Sequence, residues 1–165
     1  MKKIVIAGAI IVGIALLLVV GIAGYFFFVI FGNSDQTLAR NLAVTNEWNE
    51  VKIDPPVKPA YRHQAIYLRL VNFKIDRAAK GFEIRLPDGT VVEPEVEIYA
   101  EHGNMFKLHK SGFAMGRDDY VEFAFGAKEN NYMSLPTNRT YTQLRIRSDV
   151  PFICERINWI DYAPK

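Results

Sequence analysis

The sequence predicts a mainly β protein, in which a single N-terminal transmembrane α-helix precedes a small antiparallel β-sandwich or jelly-roll-like domain. Two observations predict this fold class. The chain has no charged residue from Ile4 to Phe31, directly after Lys2 and Lys3. Beyond residue 60, short segments alternate apolar with polar side chains, and turn residues separate them about every 8–12 residues. That pattern is typical of an antiparallel β domain.

The uncharged segment 4–31 is long enough to cross a membrane. As a helix it would extend about 42 Å, against roughly 30 Å of hydrocarbon core. A cleaved signal peptide has a shorter apolar core, and cleavage after Gly21-Ile22-Ala23 would leave an exposed apolar N-terminus. We therefore expect an uncleaved anchor, with the lipid bilayer as the partner of residues 4–31.

The basic residues predict the orientation of this anchor. Lys2 and Lys3 precede the span, whereas the fifteen residues that follow it hold only Arg40, balanced by Asp35. Because lysine and arginine near a span tend to stay cytoplasmic, the N-terminus should be cytoplasmic. The protein should then lie in the cell membrane as a single-pass protein, with its C-terminal domain periplasmic or extracellular.

Small residues recur on one face of the predicted span. Ala9 and Gly13 have the spacing that lets two helices approach closely, and Gly24 lies near the same face. Such residues are also common in any transmembrane helix. Packing of this face against another helix is therefore one of two open interpretations.

The region between the span and the β domain is predicted to be helical and then extended. Capping residues at 33–35 precede Leu38 and Leu42, which have helical spacing. Pro55, Pro56 and Pro59 block a helix and predict a stiff connector. Three regions follow: a cytoplasmic tip and transmembrane helix (1–32), a juxtamembrane helix and Pro-rich connector (33–60), and an extracytoplasmic β-sandwich domain (61–165).

The β domain is predicted from about seven alternating segments. Pro87-Asp88-Gly89-Thr90 is the clearest turn between them, because Pro presets φ and Gly accepts a positive φ. Pro94 marks an edge position or a bulge. The segments predicted as strands are 65–75, 82–86, 91–100, 105–110, 121–125, 141–148 and 152–162.

Charge and cysteine content narrow the function classes. The chain has 20 Lys and Arg and 18 Asp and Glu, so removing Lys2 and Lys3 leaves 18 of each sign. A neutral domain without a basic cluster argues against nucleic-acid binding. The single Cys154 cannot form a disulfide within the chain, and its strand-like surroundings predict that it is buried.

Two groups of residues have metal-ligand chemistry without a recognised metal motif. His102, Met105, His109 and Met115 combine imidazole with thioether, which suits Cu(I). Asp118 and Asp119 could offer oxygens to Ca²⁺. Both groups are more simply read as loop, strand and core residues, so the favoured prediction is that no metal is bound.

Tyrosines could stack on a ligand if several of them lay on one exposed sheet face, and Tyr61, Tyr99 and Tyr132 are the candidates. No nucleophile lies in a recognisable catalytic motif, so we predict no catalytic residue, no cofactor and no enzyme activity. The sequence therefore predicts a membrane-anchored interaction or accessory subunit that contacts other membrane or envelope proteins. The alternative is a membrane-tethered module that binds a glycan or another small ligand.

Overall fold

The computed structural model describes residues 20–21, 34–61, 63–71, 73–76, 83–86, 88–116, 120–127 and 135–162. Residues Asn33–Tyr162 form one compact unit, which is mainly β, as predicted. Its strands are β1 (Ser34–Val44), β2 (Asn49–Val57), β3 (His63–Val71), β4 (Lys74–Asp76), β5 (Glu83–Arg85), β6 (Val91–Val92), β7 (Glu95–Ala100), β8 (Met105–Gly116), β9 (Tyr120–Gly126), β10 (Tyr141–Arg147) and β11 (Phe152–Tyr162).

Eight of these strands form one antiparallel sheet that nearly closes on itself. Their order is β1-β11-β3-β9-β8-β7-β10-β2, and a smaller sheet has the order β4-β5-β6. β1 and β2 are the two end strands of the large sheet, yet they are consecutive in the chain. Across the seam between them, the Gln36 side-chain Nε2 donates a hydrogen bond to the Pro55 carbonyl at 2.7 Å.

The long strand β8 joins the two halves of the large sheet. Its first residues, Met105 to Leu108, pair with β7, and its later residues, from His109 onward, pair with β9. The register shifts between Lys110 and Ala114. Such irregularities bend a strand and increase its twist, which is how one sheet curls around a core.

The core lies between the two halves and takes side chains from nearly every strand. β7 shows the rule: Val96, Ile98 and Ala100 are buried, while the residues between them are partly exposed. The largest fully buried side chains are Trp159, Tyr141, Phe123, Phe125, Ile53, Ile66, Leu68, Leu70, Ile84, Ile98, Leu144 and Ile146.

The juxtamembrane helix and the connector predicted over 33–60 are wrong, because this region forms β1 and β2. Leu38 and Leu42 pack against the core from a strand, not from a helix. Alternation in β1 is broken by a register shift between Thr37 and Ala39 and by Asn41, whose φ is +50°. Residues four apart, as Leu38 and Leu42 are, share a face in a strand as well as in a helix, so their spacing did not distinguish the two structures.

The prolines of the predicted connector lie on an edge strand. Among the described residues, β2 pairs with β10 and with no other strand. Pro55 and Pro56 lack a backbone N–H, and an edge strand tolerates this because its outer side needs no ladder hydrogen bonds. Val51, Ile53 and Val57 of β2 are buried in the core. The compact unit therefore begins at Asn33 and not near residue 61.

The other predicted strands are found with altered ends. The segment 65–75 divides into β3 and β4, and Pro94 separates β6 from β7. The predicted turn before β6 is confirmed: Gly89 has φ +90°, and the Thr90 N–H donates to the Asp88 carboxylate at 2.9 Å. This bond from the backbone of Thr90 lowers the pKa of Asp88.

The predicted membrane span, with its packing residues Ala9, Gly13 and Gly24, lies outside the described residues except for Val20 and Gly21, which are helical. In the part of the chain that the structure describes, no helix combines the length and apolar character that a membrane crossing needs.

Candidate interaction surface

Aromatic and charged side chains cluster on the outer face of β10 and β7, next to the turn that joins β1 to β2. We call this set the Trp48 cluster, and it consists of Trp48, Tyr99, Arg145, Arg147 and Glu95.

Strand alternation brings the charged members together. In β10, Leu144 and Ile146 are fully buried, so Arg145 and Arg147 point outward. The antiparallel register then places Arg147 directly opposite Glu95 of β7. Opposite charges in directly opposed cross-strand positions stabilise a sheet.

Trp48 packs against both arginines from the β1–β2 turn. Its ring centroid lies 4.8 Å from the guanidinium carbon of Arg145 and 4.6 Å from that of Arg147. Both distances fall within the range of cation–π attraction. Trp48 is only half-buried, so its ring stays partly in contact with solvent although two arginines hold it in place.

Hydrogen bonds fix the remaining members. The Tyr99 hydroxyl donates to a Glu97 oxygen at 2.8 Å and accepts from Arg145 Nη1 at 3.0 Å. Arg147 donates through Nε and Nη2 to the same Glu95 oxygen, at 3.0 and 2.7 Å. Because these contacts already order the side chains of the cluster, those side chains would lose little rotamer freedom when a partner binds here.

The cluster keeps some capacity for polar contacts. The Glu50 side chain, which is 63 % exposed, lies 3.7 Å from Arg145 Nε and leaves a carboxylate open to solvent beside the arginine. Met105 lies directly opposite Tyr99 across the β7–β8 ladder and is 49 % exposed. Tryptophan, tyrosine, arginine and methionine together form the composition that is enriched in protein–protein interfaces.

The three tyrosines predicted to stack on a ligand have different locations. Tyr99 belongs to the Trp48 cluster. Tyr61 precedes β3, where its backbone N–H donates to the Asp161 carboxylate at 3.2 Å. Tyr132 lies outside the described residues.

The residues predicted as metal-ligand candidates do not form one site. His102 is exposed in the short 3₁₀ turn Glu101–Gly103, while Met105 and His109 are four residues apart on β8, about 13 Å in an extended strand. Met115 is further along β8, and Asp118 and Asp119 lie outside the described residues. Within the described ranges, no three His, Cys, Asp or Glu side chains are close enough to hold an ion.

Cys154 is fully buried, as the sequence predicted. Its thiol donates to the carbonyls of Arg156 at 3.2 Å and of Arg69 at 3.5 Å. Burial raises the pKa of the thiol to about 12. A thiol that stays protonated near neutral pH is a poor nucleophile, so Cys154 is a packing residue.

Sequence reasoning missed four members of the Trp48 cluster: Trp48, Arg145, Arg147 and Glu95. Alternation in β10 could have placed the two arginines on one outer face. It could not have shown that the turn before β2 carries Trp48 onto them, because that contact depends on β2 pairing with β10.

No protein-family model matches this chain, and the curated proteins compared with it give no match either.

Proposed function

We propose that the protein is a membrane-anchored, non-catalytic interaction subunit that binds a partner protein through the Trp48 cluster. Residues 4–31 would hold it in the cell membrane with a cytoplasmic N-terminus, so that the β domain meets other membrane or envelope proteins outside the cytoplasm. The observation that carries the proposal is the position of Trp48, half-exposed and held by Arg145 and Arg147.

The energetics of interfaces support this choice of surface. A few ordered tryptophan, tyrosine and arginine side chains usually supply most of the binding free energy of an interface. The cluster also mixes both signs of charge, with Glu50, Glu95 and Lys107 around the arginines. A partner with a mixed polar rim and an apolar centre would complement it better than a strongly charged one.

Photo-crosslinking in living cells tests this proposal. A photoreactive residue replaces Lys107, which lies beside Glu95 and has a side chain that is 56 % exposed. The matched control replaces Lys58, exposed just after the end of β2 that is furthest from Trp48. We expect position 107 to form an adduct with one identifiable protein, and position 58 to leave that protein unlabelled.

Trp48→Ala in the same chain should reduce that adduct at least about tenfold, the loss typical of an interface residue that contributes strongly to binding. The identified protein should also form the adduct when both purified proteins are mixed. Equal adducts from positions 107 and 58, or an adduct that Trp48→Ala leaves unchanged, would refute the proposal.

The ligand-binding alternative rests on Tyr99 and Trp48, whose rings lie 5.8 and 4.8 Å from the same guanidinium carbon of Arg145. Two aromatic rings on one exposed face can stack on a sugar. A saturable change in tryptophan fluorescence with an oligosaccharide, lost in Trp48→Phe and without a protein adduct at position 107, would favour this alternative.

A further inference from the structure

Three arginines lie side by side across the other half of the large sheet. Arg40 of β1 is directly opposite Arg156 of β11, and Arg156 is directly opposite Arg69 of β3. We call these residues the arginine row. Neighbouring strands are about 4.8 Å apart, and like charges in directly opposed positions destabilise a sheet.

Among the residues that the structure describes, a close carboxylate neutralises only one end of the arginine row. Arg69 is directly opposite Glu122 of β9, and its Nε and Nη2 lie 2.6 and 2.5 Å from one Glu122 oxygen. The guanidinium of Arg69 also stacks 4.2 Å from the ring centroid of Tyr120. The charge of Arg69 is therefore already paired with that of Glu122.

Arg156 and Arg40 have no such partner among the described residues. The Nε of Arg156 is buried without a hydrogen bond, and neither arginine forms an ion pair within that part of the chain. Glu155 is next to Arg156 in sequence and close enough to Arg69 to act on it electrostatically, but it makes no ion pair with Arg156. A like-charged pair in directly opposed positions, without a carboxylate partner, is destabilising, so its presence calls for an explanation.

The backbone is irregular on both sides of this pair. β11 carries one extra residue relative to β3 between Cys154 and Arg156, and β1 shifts register between Thr37 and Ala39. Asn41, directly after Arg40, has φ +50°. Bulges re-aim side chains and are frequent beside functional sites.

We propose that Arg40 and Arg156 form a binding site for a phosphate group. A phosphate carries up to two negative charges and several acceptor oxygens, which would neutralise both guanidinium groups. Planar guanidinium forks suit such bidentate contacts better than ammonium groups do. This site is on a different half of the sheet from the Trp48 cluster, and its test does not depend on the proposed function.

The test uses the full-length chain in a neutral detergent, with the unfolding temperature followed by the fluorescence of its two tryptophans. Inorganic phosphate is compared at pH 7.5 with sodium chloride at equal ionic strength. We expect phosphate at ten times its Kd to raise the Tm by about 3–6 °C above the chloride control. Acetate at the same ionic strength should give no rise.

Variants separate binding from structure. Arg156→Gln should abolish the rise with phosphate, yet without phosphate it should melt no lower than the wild type because a like-charge contact is removed. Lys52→Gln, a charge change at an exposed position of β2, should keep the full rise. If Arg156→Gln fails to fold, Arg40→Gln at the exposed end of the row replaces it in the test. We then expect a Kd for phosphate at least tenfold higher than that of the wild type.

A comparison of glycerol phosphate with inorganic phosphate distinguishes the sources of the group. Tenfold tighter binding of glycerol phosphate would identify a headgroup-type ester, and equal binding would identify free phosphate. The proposal is overturned if the wild type gains no stability above the chloride control, if acetate acts as phosphate does, or if the variants of Arg156 and Arg40 both keep the full response.

Discussion

The Asp161 carboxylate accepts a hydrogen bond from the backbone N–H of Ala60 at 2.5 Å, which ties the last strand to the segment that leads into β3. Asp161 is 1 % exposed. Its burial raises its pKa above the ordinary value, although the bonds from Ala60 and Tyr61 oppose this shift.

This raised pKa predicts a pH-dependent contribution to stability. A carboxyl group whose pKa is higher in the folded than in the unfolded state makes its full contribution to the free energy of unfolding at pH values below its unfolded pKa, about 3.9. That contribution is lost as the pH rises through the folded pKa. The free energy of unfolding of the wild type minus that of Asp161→Asn should therefore fall as pH rises through this window. Urea unfolding of both proteins at a series of pH values measures this difference in the free energy of unfolding. A difference that does not change with pH would contradict the prediction.

Cys154 should resist modification in the folded protein. Its side chain is fully buried, and its pKa of about 12 leaves almost no thiolate at pH 8. A maleimide should label the native protein at least about a hundredfold more slowly than the protein in denaturant, as mass spectrometry can follow. Rapid labelling under native conditions would contradict this prediction, because it would show that β11 exposes Cys154 to solvent.

The start of the folded domain can be tested with two fragments. Residues 33–165 should fold cooperatively, whereas residues 61–165 should not, because Val44, Val51, Ile53 and Val57 supply core contacts from β1 and β2. Circular dichroism and thermal unfolding compare the two fragments. Cooperative unfolding of 61–165 would mean that β1 and β2 are dispensable.

Leu68→Ala should lower the free energy of unfolding by about 2–5 kcal/mol, because it leaves a cavity in a tightly packed core. Leu68 is 0 % exposed at the centre of β3. Ile153→Ala is the matched control, since Ile153 is 58 % exposed and its truncation should change stability by less than about 0.5 kcal/mol. Equal losses in the two variants would place Leu68 outside the core.

A double-mutant cycle measures the contact between Trp48 and Arg147. Their 4.6 Å separation predicts a coupling free energy of about 0.5–1 kcal/mol, the range for exposed cation–π pairs. The variants are Trp48→Ala, Arg147→Gln and the double variant, compared by urea unfolding. Additive losses would show that the stacking contributes nothing to stability.

Patterns that are local in the chain were predicted well. β7 alternates buried and partly exposed residues from Glu95 to Ala100, and the Asp88–Gly89 turn carries the residue types that its backbone requires. β1 was predicted as a helix because capping residues precede Leu38 and Leu42, whose four-residue spacing suits one face of a helix and equally one face of a strand. Two apolar residues in a short segment do not decide between a helix and a strand.

From residues alone, the amino-acid order determined which segments beyond residue 60 become strands and which faces of them are apolar, since alternation and turn chemistry act between neighbours in the chain. Only the tertiary structure decided that β1 and β2 complete the sheet, that Trp48 rests on Arg145 and Arg147, and that Arg40, Arg156 and Arg69 form a row. These contacts depend on strand pairing between distant segments, which the packing of the whole core selects.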